Sequence, residues 1–89
     1  MEFEFHAAKS AKNEVERGFG FAFAARIFLG RTVQATDDRR DYGEVRIRAI
    51  GKVGGDVIVV VYTDRGTVRR IISARLANKQ ERALWHSSA

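Results

Sequence analysis

The sequence predicts an α+β domain ordered β-α-α-β-β-β-β-α, an antiparallel meander sheet packed by two N-terminal helices and a C-terminal helix. Three observations predict it. Apolar residues recur with a helical period up to Leu29, the period changes to two from Thr32 onward, and a helix-start signal follows the last strand. The 89 residues make one domain, 1–89, with no room for a second core. A chain of this size buries about 60–65% of its unfolded surface, enough to fold alone.

Glu2–Phe5 alternates polar and apolar residues and is expected as a short edge strand. His6 to Arg17 reads as a helix with Ala8, Ala11 and Val15 on one face. Gly18 takes the left-handed position that ends it. A second helix is expected over Phe21–Leu29, where Phe21, Ala24, Ala25 and Phe28 form an apolar stripe ended by Gly30. Thr32–Ala35 reads as a weak strand, and 36–43 as a charged loop. Glu44–Gly51 alternates, with Val45, Ile47 and Ala49 on one face and Glu44, Arg46 and Arg48 on the other. Gly51–Asp56 is a glycine-rich turn, and Val57–Tyr62 is apolar on both faces, as a central strand should be. Asp64-Arg65-Gly66 is a three-residue hairpin loop leading to a strand over Thr67–Ser73. Asn78-Lys79-Gln80-Glu81 has capping-box spacing and opens a helix ending near Trp85.

Composition narrows the function. The chain has no cysteine, so it has no disulfide framework and no thiolate nucleophile or metal site. Its two histidines, His6 and His86, lie near opposite ends, which argues against a metal centre, and no cofactor is expected. Neither a signal peptide nor an apolar run of membrane length is evident, so a soluble, cytoplasmic protein without membrane contact is expected. The net charge of +5 is uneven: residues 1–43 hold seven basic and seven acidic side chains, residues 44–89 nine and four. A basic half joined to a neutral half points to a phosphate-facing surface, although small soluble proteins are often basic.

The arginines of the last hairpin sharpen that reading. Simple alternation puts Val68, Arg70, Ile72 and Ala74 on one side of the strand, and Thr67, Arg69, Ile71, Ser73 and Arg75 on the other. Arg69 then reads as solvated surface, Arg65 lies at the loop tip, and Arg75 lies past the strand end. Arg70 falls on the more apolar side, where a guanidinium needs either an ion pair, with Glu44 or Glu81, or an anionic ligand.

Residues along nearly the whole chain resemble a known family. Phe3-Glu4-Phe5, Ala8-Lys9, Asn13, Gly18, Phe21, Ala24 and Phe28 are similar to the amino-terminal pattern of BrnT-type toxins. Glu44-Val45-Arg46, Ile50-Gly51, Val61–Gly66, Arg70–Arg75 and Glu81-Arg82 resemble its centre and carboxyl end. The resemblance implies a RelE-like fold and the toxin of a type II toxin–antitoxin system, a metal-independent ribonuclease that inhibits translation. It implies a ribbon-helix-helix antitoxin partner, RNA (on or off the ribosome) as substrate, and operator DNA only through the antitoxin complex. Matching positions carry over Lys9, Arg65, Arg70, Arg75, Glu81 and Arg82 as candidate catalytic residues, with Glu44 beside them. Arg46, Arg48 and Trp85 are candidate RNA-binding residues. The chain departs from the family at His6, where an Asp is usual, at Glu16-Arg17, where a Lys-His pair is usual, and at Trp85, where a tyrosine is usual.

RNA cleavage without metal needs a base for the 2′-hydroxyl, charge stabilisation of the phosphorane and an acid for the leaving 5′-oxygen. Planar guanidinium groups suit the middle task. Glu81 or Glu44 is a candidate base, and so is Lys9 if burial near Arg70 lowers its pKa. His6 reads as an exposed strand residue. Trp85 and Tyr62 are candidates for stacking on an unpaired base, against the more common role of each in a core or interface. The alternative to an enzyme is a non-catalytic nucleic-acid-binding or co-repressor subunit of a toxin–antitoxin complex.

Overall fold

In the computed structural model, which describes residues 1–88, the chain begins with β1 (Glu2–Phe5) and α1 (Ala7–Arg17). Ala89, the end of the expected domain, lies outside the described residues. His6 is the N-cap of α1, and its Nδ1 accepts the Lys9 backbone N–H at 3.3 Å. A histidine thus does here what an aspartate would do at a helix start. α1 does not dock through Ala8, Ala11 and Val15 as the sequence suggests; Val15 is 87% exposed. It docks through polar groups instead. Ser10 Oγ accepts the Phe21 amide at 2.9 Å, and Asn13 Nδ2 donates to the Phe19 carbonyl at 2.9 Å. The first bond satisfies an amide at the start of the next helix and the second fixes the chain that enters it, which leaves the rest of α1 for solvent.

α2 (Phe21–Ala24) tightens after one turn into a 3₁₀ segment, Ala25–Leu29. Its apolar stripe is buried as expected at Phe21, Ala24 and Ala25. The tighter period of three turns Ile27 inward beneath Ala24, and its side chain is fully buried.

β2 (Thr32–Thr36), β3 (Ile47–Val53), β4 (Asp56–Arg65) and β5 (Val68–Leu76) form the antiparallel meander, and α3 (Lys79–Ser87) follows. The sheet order is β1-β5-β4-β3-β2, with β1 parallel to β5, so the sheet is mixed rather than wholly antiparallel. The two N-terminal helices carry the chain across the sheet, and β1 therefore lands on the free edge of β5. Both hairpins are tighter than expected. Val53 pairs with Asp56 and Arg65 with Val68, leaving the two-residue turns Gly54-Gly55 and Gly66-Thr67. Only the first residue of each has positive φ, +59° and +60°, the arrangement that suits a type II′ turn. β3 starts later than the alternation suggested: Glu44–Arg46 lie before it, and Val45 is exposed.

One sheet face packs on α2 and the 3₁₀ segment through Ala49, Ile58, Val60, Tyr62, Ile71 and Ala74. Tyr62 is core, as its more common role predicts; its hydroxyl donates to Gln34 Oε1 at 2.6 Å. The other face is covered at one end only, where Ile50, Val57, Val59 and Ala77 meet Trp85 of α3. No helix among the described residues is long and apolar enough to cross a membrane.

A bulge between Val61 and Tyr62, which leaves Ile72 without an opposite residue, corrects the expected parity of β5. Arg69 is not solvated surface: its side chain is 15% exposed and lies 4.0 Å from the Tyr62 ring centroid and 4.7 Å from that of Phe28. Asp64 holds it with two bonds of 2.8 and 3.0 Å. Arg70 faces the other way and pairs with Glu4 of β1 at 3.3 Å, not with Glu44 or Glu81.

Gly51 faces Ile27 so closely that an added Cβ would stand 2.6 Å from the Ile27 Cβ, an atom fixed to the backbone. Gly51→Ala is expected to lower stability by about 1–3 kcal/mol in urea titration. Gly30→Ala, where a Cβ meets nothing within 4 Å, should leave it near the wild-type value.

Candidate RNA-binding groove

The uncovered part of the second sheet face is the floor of an open groove of about 670 Å³. Its walls are α1, through Lys9, Lys12 and Arg17, and the loop over residues 37–46, through Arg39, Arg40, Tyr42 and Arg46. Val61, Ile72 and Ser73 line its floor. Six basic side chains face two acidic ones, Glu16 and Asp37. Five of the six basic residues come from the half of the chain with no net charge, because folding brings α1 and the 37–46 loop over the sheet.

Strand register continues the sheet face beyond the floor residues, and Arg48 and Arg75 stand next to the groove rather than in its lining. Ala35, Arg48, Val61 and Ser73 form one row across the face, and Val33, Ile50, Val59 and Arg75 form the next row toward α3. Arg48 and Arg75 therefore stand in adjacent rows on one side of the sheet. Arg39 reaches the same place from the loop, since its charge acts on Arg75 and that of Arg48 acts on both Asp37 and Glu81.

Two of these three guanidinium groups are tied down. Arg39 donates to both oxygens of Asp37 at 2.8 and 2.9 Å, and the Asp37 residue is 4% exposed. The Arg39 bonds, working against burial, hold the Asp37 carboxyl below its ordinary value. Arg75 donates to both oxygens of Glu81 at 2.7 and 2.8 Å. Glu81 is also the third residue of α3 and closes its capping box, with Asn78 N–H donating to its Oε1 at 2.9 Å and its own N–H donating to Asn78 Oδ1 at 2.8 Å. The Arg75 bonds, aided by the Asn78 amide and the nearby charge of Arg48, push its pKa down to about 2. The half-buried Arg48 side chain makes no hydrogen bond or ion pair among the described residues.

The other predicted site residues scatter. Lys9 lies on the groove wall but is exposed, without the burial near Arg70 that a proton-accepting role was to rest on. Arg46 lies on the opposite wall, with Nε donating to Glu44 Oε2 at 3.2 Å. Arg65 pairs with the other Glu44 oxygen at 3.3 Å, outside the groove. Arg46 first, then Arg65, lower the pKa of Glu44. Arg70 is at the β1 edge, and Arg82 donates to the Ala77 carbonyl at 2.9 Å, bracing the start of α3. Trp85 is an anchor rather than an open platform: its Nε1 donates to the Arg31 carbonyl at 3.3 Å. The Arg31 guanidinium lies 3.9 Å from its ring centroid and donates to the Trp85 carbonyl at 2.8 Å. Asp37, Arg39, Arg40 and Tyr42 carry no sequence pattern beyond that of a charged loop. The one signal that marked them was the density of charge beside a tyrosine in Asp37–Tyr42.

Such a surface can bind a polyanion along its walls and grip one phosphate beside its floor. Asp37, Glu44 and Glu81 are each held by arginines, which makes them poor proton acceptors. The model of the family described as ribonuclease toxin, BrnT, of type II toxin–antitoxin system matches residues 5–81. No curated protein matches the chain.

The Glu81 pair gives a pH dependence with a fixed sign. A carboxyl whose pKa falls on folding adds stability at pH above its unfolded value, and that stability is lost as pH drops toward the folded value. Thermal midpoints should therefore fall between about pH 4.5 and 2. Glu81→Gln should be less stable at neutral pH and show a shallower fall over that range. An equally steep fall in the variant would assign the acid sensitivity to Asp37, Asp64 and Glu44 instead.

Proposed function

This chain belongs to the BrnT family of ribonuclease toxins of type II toxin–antitoxin systems, and we propose that it cleaves RNA in the groove by gripping the scissile phosphate with Arg48, between Arg39 and Arg75. The observation that carries the reading is the unpaired, half-buried Arg48 standing beside two guanidinium groups that carboxylates already hold in place. A preorganised cluster of positive charge with one member uncommitted is suited to charge that develops in a transition state. Arg75 is the second donor, and Glu81 is a positioning residue that aims it.

On this reading the 2′-oxygen attacks phosphorus, the bond to the 5′-oxygen breaks, and a 2′,3′-cyclic phosphate and a 5′-hydroxyl result. The 2′-hydroxyl loses its proton to solvent. The Lys9 ammonium, on the groove wall, supplies one to the leaving oxygen. The scheme needs no metal, because the guanidinium groups stabilise the charge of the phosphorane. Cleavage of cellular RNA would inhibit translation. A cognate antitoxin follows from the type II family; on this reading it is a ribbon-helix-helix protein that covers the groove and reads operator DNA for the complex.

The test is cleavage of an end-labelled single-stranded RNA by the purified, antitoxin-free protein. Arg48→Ala is expected to cleave about 100-fold more slowly or worse with an unchanged thermal melt, and Arg75→Ala to cleave as slowly while also melting lower, because it breaks the pair with Glu81. Arg26→Ala, on the opposite face of the sheet, is expected to match wild type. Arg48→Ala should also reduce the salt dependence of RNA affinity by about one phosphate contact. Wild-type rates in both arginine variants would overturn the assignment. Tight, salt-dependent binding by a wild type that cleaves nothing would mark the protein as a co-repressor subunit.

A further inference from the structure

Resting on the reading that the groove holds RNA, we infer that Tyr42 and Arg46 form a subsite that stacks one unpaired base beside the gripped phosphate, and that this subsite restricts the protein to single-stranded RNA. The two aromatics that the sequence offered for stacking are committed elsewhere: Tyr62 to the core and Trp85 to Arg31. Phe21 reaches the groove but is almost wholly buried. Tyr42 is the partly exposed aromatic side chain on the groove wall.

Its surroundings are planar and cationic. The Arg46 guanidinium lies 4.0 Å from the Tyr42 ring centroid, and that of Arg40 lies 5.2 Å away. The bond from Arg46 Nε to Glu44 holds the Arg46 plane in place, so the stack does not have to be ordered when a ligand arrives. Aromatic rings and guanidinium planes are the two surfaces on which proteins stack unpaired bases, with little regard to sequence.

Placement ties this stack to the phosphate. Arg46 and Arg48 alternate onto the same face of one chain segment, and the Asp37 amide bonded to the Arg46 carbonyl at 2.7 Å continues the β2–β3 ladder to that point. Two residues of strand span about 7 Å, roughly one nucleotide. A base adjoining the phosphate at Arg48 therefore reaches Arg46 and Tyr42. In a duplex the same base is already stacked and paired, and it would have to leave its neighbours first.

Affinity for a fully 2′-O-methyl oligoribonucleotide, which cannot cyclise, isolates this subsite from chemistry. An abasic position is moved along the oligomer, and fluorescence anisotropy reads Kd for wild type, Tyr42→Phe, Tyr42→Leu and Arg46→Lys. One abasic position should weaken wild-type binding about tenfold. Tyr42→Leu should lose a similar factor on the intact oligomer and nothing further at that position, while Tyr42→Phe stays near wild type. Arg46→Lys, which keeps the charge and loses the plane, should follow Tyr42→Leu and serves if the leucine variant fails to fold. A hairpin of the same sequence should bind wild type about tenfold more weakly than the open strand, a preference that Tyr42→Leu removes. If Tyr42→Leu and Arg46→Lys weaken intact and abasic oligomers equally, the stacking subsite is overturned. If coupling is present but the all-ribose oligomer is never cleaved, the nuclease reading fails and the subsite stands.

Discussion

Arginines crowded on the two faces of this small sheet repel one another, and the structure depends on the carboxylates set among them. Asp37 holds Arg39, Glu81 holds Arg75, and Asp64 holds Arg69, each through two parallel bonds of 2.7–3.0 Å. A guanidinium and a carboxylate fit in this fork geometry, which fixes direction as well as charge. Each acid comes from a different place: the 37–46 loop, the end of β4, and the first turn of α3. The same bonds that quiet the repulsion therefore tie loop, hairpin and helix to the sheet. Glu81 joins the helix cap to the strand pair in one side chain, so α3 and Arg75 are positioned together.

The bulge opposite Val61 and Tyr62 decides which arginine goes where. Without it, strict alternation would send Arg75 to the same face as Arg69 and Ile71. With Ile72 left over, Arg69 enters the aromatic layer beneath the 3₁₀ segment, and Arg75 turns to the side of the sheet that carries the groove. A single extra residue thus divides one arginine-rich strand between the core and the binding face.

Local patterns were legible. The Phe21–Phe28 stripe gave the buried side of the second helix, because burial of a helix face leaves a period in the sequence. Asn78 and Glu81 announced α3 three residues apart, because the capping box is complete within one turn. Family resemblance supplied what periodicity lacks, and it matched the family model over most of the chain. What failed was long-range. Counting from Thr67 could not reveal the bulge, so Arg69 and Arg70 exchanged environments. Charge counted along the chain put the basic surface in residues 44–89, whereas the groove takes Lys9, Lys12, Arg17, Arg39 and Arg40 from the other half. Asp37 reads as loop charge, and only the closing of the loop over the sheet buries it.

The parallel pairing of β1 with β5 joins residues 2–5 to residues 68–71, the longest sequence span of any strand pair in the sheet. Such a contact brings no return in stability until the long intervening segment has closed, so it belongs to the last steps of assembly. During synthesis the first strand emerges early and waits, with α1 attached, for an edge that is made near the end. Groove wall and groove floor therefore come together only after β5 has left the ribosome. A truncated or stalled chain carries many of the basic residues but not the surface that would make them dangerous to the cell producing it.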